Sequence, residues 1–138
     1  MGNPIEFTWP VRVYYEDTDA GGVVYYANYL KFLERARTEY LRDLGFEQDQ
    51  LKQEYGIIFA VHSLSIQYLK PAVFNDALTV TAEIIDKGRA RMTFKQMITK
   101  DKDNTGICSA QVSIACLNAE TFTPARIPVH IVEVLSGS

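Results

Sequence analysis

Residues 25–44 read Tyr25-Tyr26-Ala27-Asn28-Tyr29-Leu30-Lys31-Phe32-Leu33-Glu34-Arg35-Ala36-Arg37-Thr38-Glu39-Tyr40-Leu41-Arg42-Asp43-Leu44. Tyr26, Tyr29, Leu30, Leu33, Ala36, Tyr40 and Leu44 recur at three- and four-residue spacing, the apolar stripe of a half-buried helix. Lys31, Glu34, Arg35, Thr38, Glu39 and Arg42 fall mostly on the other side. Gly45 follows as a C-cap. One long helix with one apolar stripe has to bury that stripe against a second layer.

The flanking sequence supplies that layer. Upstream, residues 7–16 alternate, with Phe7, Trp9, Val11, Val13 and Tyr15 on one side and Thr8, Arg12 and Glu16 on the other. The cluster Asp17-Thr18-Asp19-Ala20-Gly21-Gly22 then breaks the strand. Downstream, a short helix is predicted over Gln48–Tyr55, closed by Gly56. Residues 57–69 return to period two, with Ile58, Ala60, Leu64, Ile66 and Tyr68 on one face, and Pro71 ends the run. Leu78, Val80, Ala82 and Ile84 make the next strand. Ala90, Met92 and Phe94 make another after the turn Lys87-Gly88-Arg89. Residues 107–117 form the last strand after a turn over 101–106. Val129, Ile131, Val132, Val134 and Leu135 suggest a short terminal helix. Consecutive strands with short turns predict an antiparallel sheet wrapped around the helix, an α+β domain. Its open edges invite pairing with a second copy.

The 138 residues fit one domain, 1–138. With 47% hydrophobic and 22% charged residues the chain can bury a core, which excludes a largely disordered protein. No apolar run reaches the roughly 18–20 residues that span a bilayer. Met1-Gly2-Asn3-Pro4-Ile5-Glu6 has neither a basic start nor an apolar stretch, so no signal peptide is expected and the expected address is the cytoplasm. A net charge of -3, from 14 basic and 17 acidic residues, gives no general attraction to nucleic acid or anionic membrane. Cys108 and Cys116 would lie roughly 26 Å apart on one strand. They are too far apart to pair and are not at metal-ligand spacing, so they read as small core residues.

Nucleotide-binding glycine loops, zinc motifs and the nucleophile elbow are all missing. The distinctive chemistry lies where the first strand meets the long helix, from Tyr14 to Tyr29. Asp19 before a glycine turn reads as a turn residue, or as a carboxylate held beside the exposed N–H groups of a helix start. Such groups stabilise negative charge developing on a carbonyl oxygen, and the carboxylate serves as base or nucleophile. Asp17 shares the parity of Asp19 and reads as turn or support chemistry. His62 falls on the apolar face of its strand, as a core or interface histidine. Lys87, Arg89, Arg91 and Lys95 form a basic run about one hairpin, which reads as a solvated strand face or as contact with a substrate's phosphates. Tyr25, Tyr26, Tyr29 and Tyr40 read as core packing.

The segment from Val11 through Asp17-Thr18-Asp19-Ala20-Gly21-Gly22-Val23-Val24-Tyr25, on through Asn28-Tyr29-Leu30 to Glu34-Arg35-Ala36-Arg37-Thr38-Glu39, closely resembles the 4-hydroxybenzoyl-CoA thioesterase family of hotdog-fold enzymes. Within that family the pattern is most similar to the tol-pal-associated acyl-CoA thioesterase subfamily. Tyr68-Leu69-Lys70-Pro71-Ala72 agrees as well. The resemblance implies a hotdog fold, a homodimer often paired into a tetramer, active sites at the dimer interface, and hydrolysis of an acyl-CoA thioester with no metal and no cofactor. It puts the catalytic aspartate at Asp19 and the carbonyl-polarising backbone N–H at Tyr26. Lys87, Arg89 and Arg91 become candidates for the CoA phosphates, with Gly88 letting backbone approach a phosphate closely. Many members of the tol-pal subfamily carry histidine where this chain has Tyr26, and the aromatic-CoA branch carries tyrosine. The backbone donor survives that change, whereas a histidine proton relay does not. An acyl carrier protein in place of CoA as the thioester donor stays open in this reading. Two other readings compete: an acyl-thioester hydratase or dehydratase, which needs a histidine beside the helix start, and a binding module that holds the thioester without turnover.

Overall fold

A computed structural model describes residues 6–137. The stretch Met1–Ile5, read above as carrying no signal peptide, lies outside the described residues. The elements are β1 (Phe7–Arg12), α1 (Asn28–Asp43), α2 (Gln48–Tyr55), β2 (Ile57–Tyr68), β3 (Ala77–Lys87), β4 (Arg91–Lys100), β5 (Gly106–Asn118) and α3 (Val129–Gly137). The five strands form one antiparallel sheet in the order β1-β3-β4-β5-β2. This is the hotdog arrangement expected above, with the sheet curled about α1.

Alternation builds the concave face. Leu78, Val80 and Ala82 of β3, Met92, Phe94 and Ile98 of β4, and Cys108, Ala110, Val112, Ile114 and Cys116 of β5 are all buried. They close over Phe32, Leu33 and Ala36 of α1, which have no exposure. Each Leu, Val, Ile, Met or Phe among them contributes about 1.5–3 kcal/mol on burial. The buried face of α1 is Tyr29, Phe32, Leu33, Ala36, Tyr40 and Leu41. The stripe predicted above was therefore rotated, because Tyr26 and Leu30 are exposed while Phe32 and Leu41 take their place. Burial pushes the Cys108 thiol up to about 12 and the Cys116 thiol up to about 11, so both stay neutral. They are free and buried, as core residues should be.

Three expectations need correction. The first strand stops at Arg12. Residues 15–17 form a 3-10 turn in which the Asp17 carboxylate accepts the Tyr14 N–H at 2.9 Å, and Tyr15 turns outward. Next, β2 and β3 do not make a hairpin, because β2 pairs with β5 at the far edge. The connection 69–76 runs instead past the start of α1, where Ala72 accepts the Val24 N–H at 2.9 Å. Finally, β2 does not keep one parity. Its register shifts between Val61 and Ser63, leaving His62 as the extra residue of a bulge. Phe59 before the bulge and Ile66 after it both pack on the core, and His62 is exposed rather than apolar-facing.

Gly56 ends α2 at φ 66, the left-handed cap expected from its position. Gly56→Ala is expected to cost about 1 kcal/mol through backbone strain alone, since an added Cβ meets nothing within 4 Å. Urea unfolding checks this as a lower midpoint with an unchanged slope.

Candidate active site

Asp19 opens a tight turn. Its backbone carbonyl accepts the Gly22 N–H at 3.0 Å, and its side-chain Oδ1 accepts the Gly21 N–H at 2.8 Å. Gly22 sits at φ 83, a conformation that favours glycine. A Cβ at Gly21 would come within 3.3 Å of Asp19 Oδ1, so a bare backbone suits that contact. The turn is the tip of a small hairpin. Asp19 N–H donates to Val23 at 2.9 Å, Thr18 pairs with Val24, and Tyr25 N–H donates to the Asp17 carbonyl at 2.9 Å. The Asp19 side chain is exposed in the single chain, with one oxygen fixed by the turn.

The chain then turns into α1 through Tyr25, Tyr26 and Ala27. Asn28, Tyr29 and Leu30 donate their N–H groups to Tyr25, Tyr26 and Ala27. Ala27 is the N-cap and offers no side-chain acceptor. Among the described residues, nothing accepts the N–H groups of Tyr26 and Ala27. Helix starts ordinarily satisfy such donors with side chains, water or a ligand, and the helix dipole adds positive potential there. The carboxylate thus sits at the hairpin tip, and the two open backbone donors follow the hairpin's second strand.

Aromatic rings wall this corner. Tyr26 is 60% exposed rather than packed in the core, and it meets Tyr68 edge-on at 5.9 Å and Tyr25 at 5.0 Å. Tyr25 is exposed as well, so of the four tyrosines read as core only Tyr29 and Tyr40 are buried. The Tyr29 hydroxyl accepts the Ala72 N–H at 3.0 Å, and burial pushes its phenol up. Desolvation also raises the Tyr68 phenol.

The basic hairpin lies elsewhere. Asn75 and Asp76, just before β3, bond to Val13, and Val73 pairs with Val23, so the Asp19 loop is at the Ala77 end of β3. Lys87 is at the other end, ten strand steps or roughly 33 Å away. Lys87 Nζ donates to the Leu135 carbonyl in the last turn of α3 at 3.3 Å. Arg89 and Arg91 are exposed, and the Arg89 carbonyl accepts the Ile127 N–H at 2.7 Å. Arg126, which no motif marked, joins Lys87 and Arg89 around a cleft of about 310 Å³ that Ile127, Val132 and the acidic Glu133 also line. Within one chain, then, Asp19 lies on the hairpin tip and Tyr26 in the turn into α1 that follows the same hairpin, whereas Lys87, Arg89 and Arg91 lie at the other end of β3.

The thioesterase superfamily model matches residues 21–107. The chain belongs to the thioesterase superfamily. Among thioesterase relatives, it is 45% identical to an acyl-CoA thioesterase YbgC of Haemophilus influenzae, over 91% of this chain and 90% of that one. It is 42% identical to an acyl-CoA thioester hydrolase YbgC of Escherichia coli, over 94% of this chain and 96% of that one. The crystal structure of a probable thioesterase from Bartonella henselae superposes with a TM-score of 0.84 at 36% identity, covering 90% of this chain and all of that one (100%).

Proposed function

We propose that this protein is an acyl-CoA thioester hydrolase in which Asp19 and the backbone N–H of Tyr26 act on the two sides of the thioester carbonyl. The observation that carries this reading is the unpaired N–H of Tyr26 and Ala27 at a helix start that directly follows the hairpin carrying the Asp19 carboxylate. The carbonyl oxygen accepts the Tyr26 N–H, and as that oxygen gains charge the donor stabilises it. The carboxylate then takes a proton from attacking water, or attacks the carbonyl carbon itself to give a mixed anhydride that water cleaves. Either route consumes one water and releases the acid and the CoA thiol. After a single turnover in H₂¹⁸O, label in the Asp19 side chain identifies nucleophilic attack with water cleaving the anhydride at the Asp19 carbon, whereas general-base catalysis, like cleavage at the acyl carbon, places the label in the product acid.

A second copy completes the site in this reading. β2 is an edge strand with Val61 and Leu64 exposed, and two grooves of about 210 and 350 Å³ run between it and α1. Lys31, Glu34 and Arg37 line the grooves, charges of both signs that suit a self-complementary contact. Antiparallel pairing of β2 with its own copy reverses the strand. The Ile57 end, which shares its side of the sheet with Arg91, then meets the Tyr68 end, which shares its side with Tyr26. The basic hairpin of each copy thereby reaches the Asp19 end of the other, where Lys87, Arg89 and Arg91 can hold CoA phosphates. Pairing of dimers into tetramers, an acyl carrier protein as donor, and a cytoplasmic address belong to the same reading. Among the described residues no helix is long and apolar enough to cross a membrane.

The test is thiol release from short, long and aromatic acyl-CoAs, with Arg89→Ala/Arg91→Ala run alongside. Turnover of one class, with KM raised roughly tenfold by the paired substitution, supports the reading, since two solvent-exposed charge contacts together are worth about 1–2 kcal/mol. Absence of turnover above background for every acyl-CoA sinks it and favours the binding module. The hydratase reading loses ground because His62, six residues or roughly 20 Å along β2 from Tyr68, is not beside the helix start.

A further inference from the structure

We infer that Asn28 is a positioning residue that sets the Asp19 hairpin at a fixed angle to the start of α1. This rests on the roles proposed for Asp19 and Tyr26. Asn28 is the first residue of α1, yet its side chain does not cap that helix. Instead Nδ2 reaches back and donates to the Asp17 carbonyl at 2.9 Å, half-buried, across eleven residues of sequence. The same carbonyl accepts the Tyr25 N–H at 2.9 Å, so both of its lone pairs are taken.

The two bonds do different work. Asp17 to Tyr25 closes the base of the hairpin, together with Asp19 to Val23 and the bridge of Thr18 with Val24. Those bonds hold the hairpin's shape, and the Val24–Ala72 bond and the Val23–Val73 bridge tie its second strand to the 69–76 connection, but none of them joins the Asp17 strand directly to the helix. Asn28 is the one side chain, among the described residues, that bonds the base of this hairpin to α1 itself. The carboxylate of Asp19 lies on one side of that joint and the open Tyr26 N–H on the other. Holding reacting groups to sub-ångström tolerance is worth large factors in rate, and a misplacement of about 1 Å costs roughly 100-fold.

The experiment is steady-state thiol release by the full chain carrying Asn28→Ala, Asp19→Asn, or both. Asn28→Ala is expected to lower kcat roughly 10- to 100-fold and to leave KM within about threefold. In the Asp19→Asn background the same change is expected to do almost nothing further, because there is no carboxylate left to align. An equal loss in both backgrounds assigns Asn28 to general structure and overturns the proposal. If Asp19→Asn abolishes turnover but Asn28→Ala does not reduce it, only the role of Asn28 fails. If Asp19→Asn leaves the rate intact, the parent reading fails and takes this one with it. Should Asn28→Ala not fold, Asn28→Asp, which replaces the donor with a carboxylate of the same shape, is judged by the same criteria.

Discussion

Replacing Asp19 with asparagine is expected to lower kcat for acyl-CoA hydrolysis roughly 10³-fold, about 4 kcal/mol of transition-state stabilisation, with KM nearly unchanged. The substitution is clean because Asp19 has two separable jobs. Its Oδ1 accepts the Gly21 N–H and shapes the turn, and an amide oxygen does that equally well. In the proposed mechanism its second oxygen carries the chemistry, and an amide NH₂ in its place neither takes a proton nor attacks a carbonyl. The unpaired N–H groups at Tyr26 and Ala27 remain, so residual catalysis above the uncatalysed rate should persist. Circular dichroism and steady-state kinetics on the two proteins decide the matter. A variant that keeps its fold and most of its kcat removes Asp19 from the mechanism.

The second large effect concerns the interior. Gln96→Leu is expected to destabilise the fold by about 3 kcal/mol, although leucine fills a similar volume. Gln96 is the buried polar side chain of the core, with no exposure. It donates to the Leu33 carbonyl at 3.1 Å and the Thr81 carbonyl at 3.2 Å, and it accepts from Arg37 Nη1 at 3.0 Å. The β3–β4 pairing skips this point, and Met97 N–H bonds to the Thr81 hydroxyl instead of a carbonyl. Gln96 therefore fills a gap in the ladder while tying the middle of α1 to the sheet. Leucine would leave the Thr81 carbonyl without that donor. It would also leave the Arg37 guanidinium, whose charged form burial already disfavours, without its acceptor. Urea unfolding at one protein concentration measures the loss. Adding Arg37→Leu should recover about 1 kcal/mol of it, since an uncompensated charge costs more than none. An unchanged midpoint for Gln96→Leu would falsify this account.

Much of the fold was legible because it follows from local patterns. The bounds of α2 with its Gly56 cap, the alternation of β3, β4 and β5, and the terminal helix all follow from spacing within a few residues. The long helix was legible as an element but not in its exact face. Tyr26 and Leu30 satisfy the same spacing as Phe32 and Leu41, and only the approach of the sheet distinguishes them. What escaped reading is non-local. The position of β2 at the edge, beside β5 rather than β3, depends on where the 69–76 connection is held, by the Ala72–Val24 bond. The bulge at His62 reverses parity in mid-strand, and no turn residue announces it. At the site, the candidates Asp19 and Tyr26 came from the family resemblance that a dense local motif carries. Asn28 sat inside that motif with its bond to Asp17 hidden, because its acceptor is eleven residues back. Arg126 lies in a tail whose return to the β3–β4 hairpin no spacing reveals.

Trp9 gives the protein an optical address. It is the chain's one tryptophan, half-buried on β1 and stacked on Phe7 at 6.4 Å. β1 borders the sheet opposite β2, so the indole reports on the edge that a β2-to-β2 dimer leaves alone. Its fluorescence should stay constant while subunits separate on dilution and should shift only when β1 peels from β3 or the whole domain melts. Light scattering and tryptophan emission, followed together, thereby resolve dissociation from unfolding without any added label.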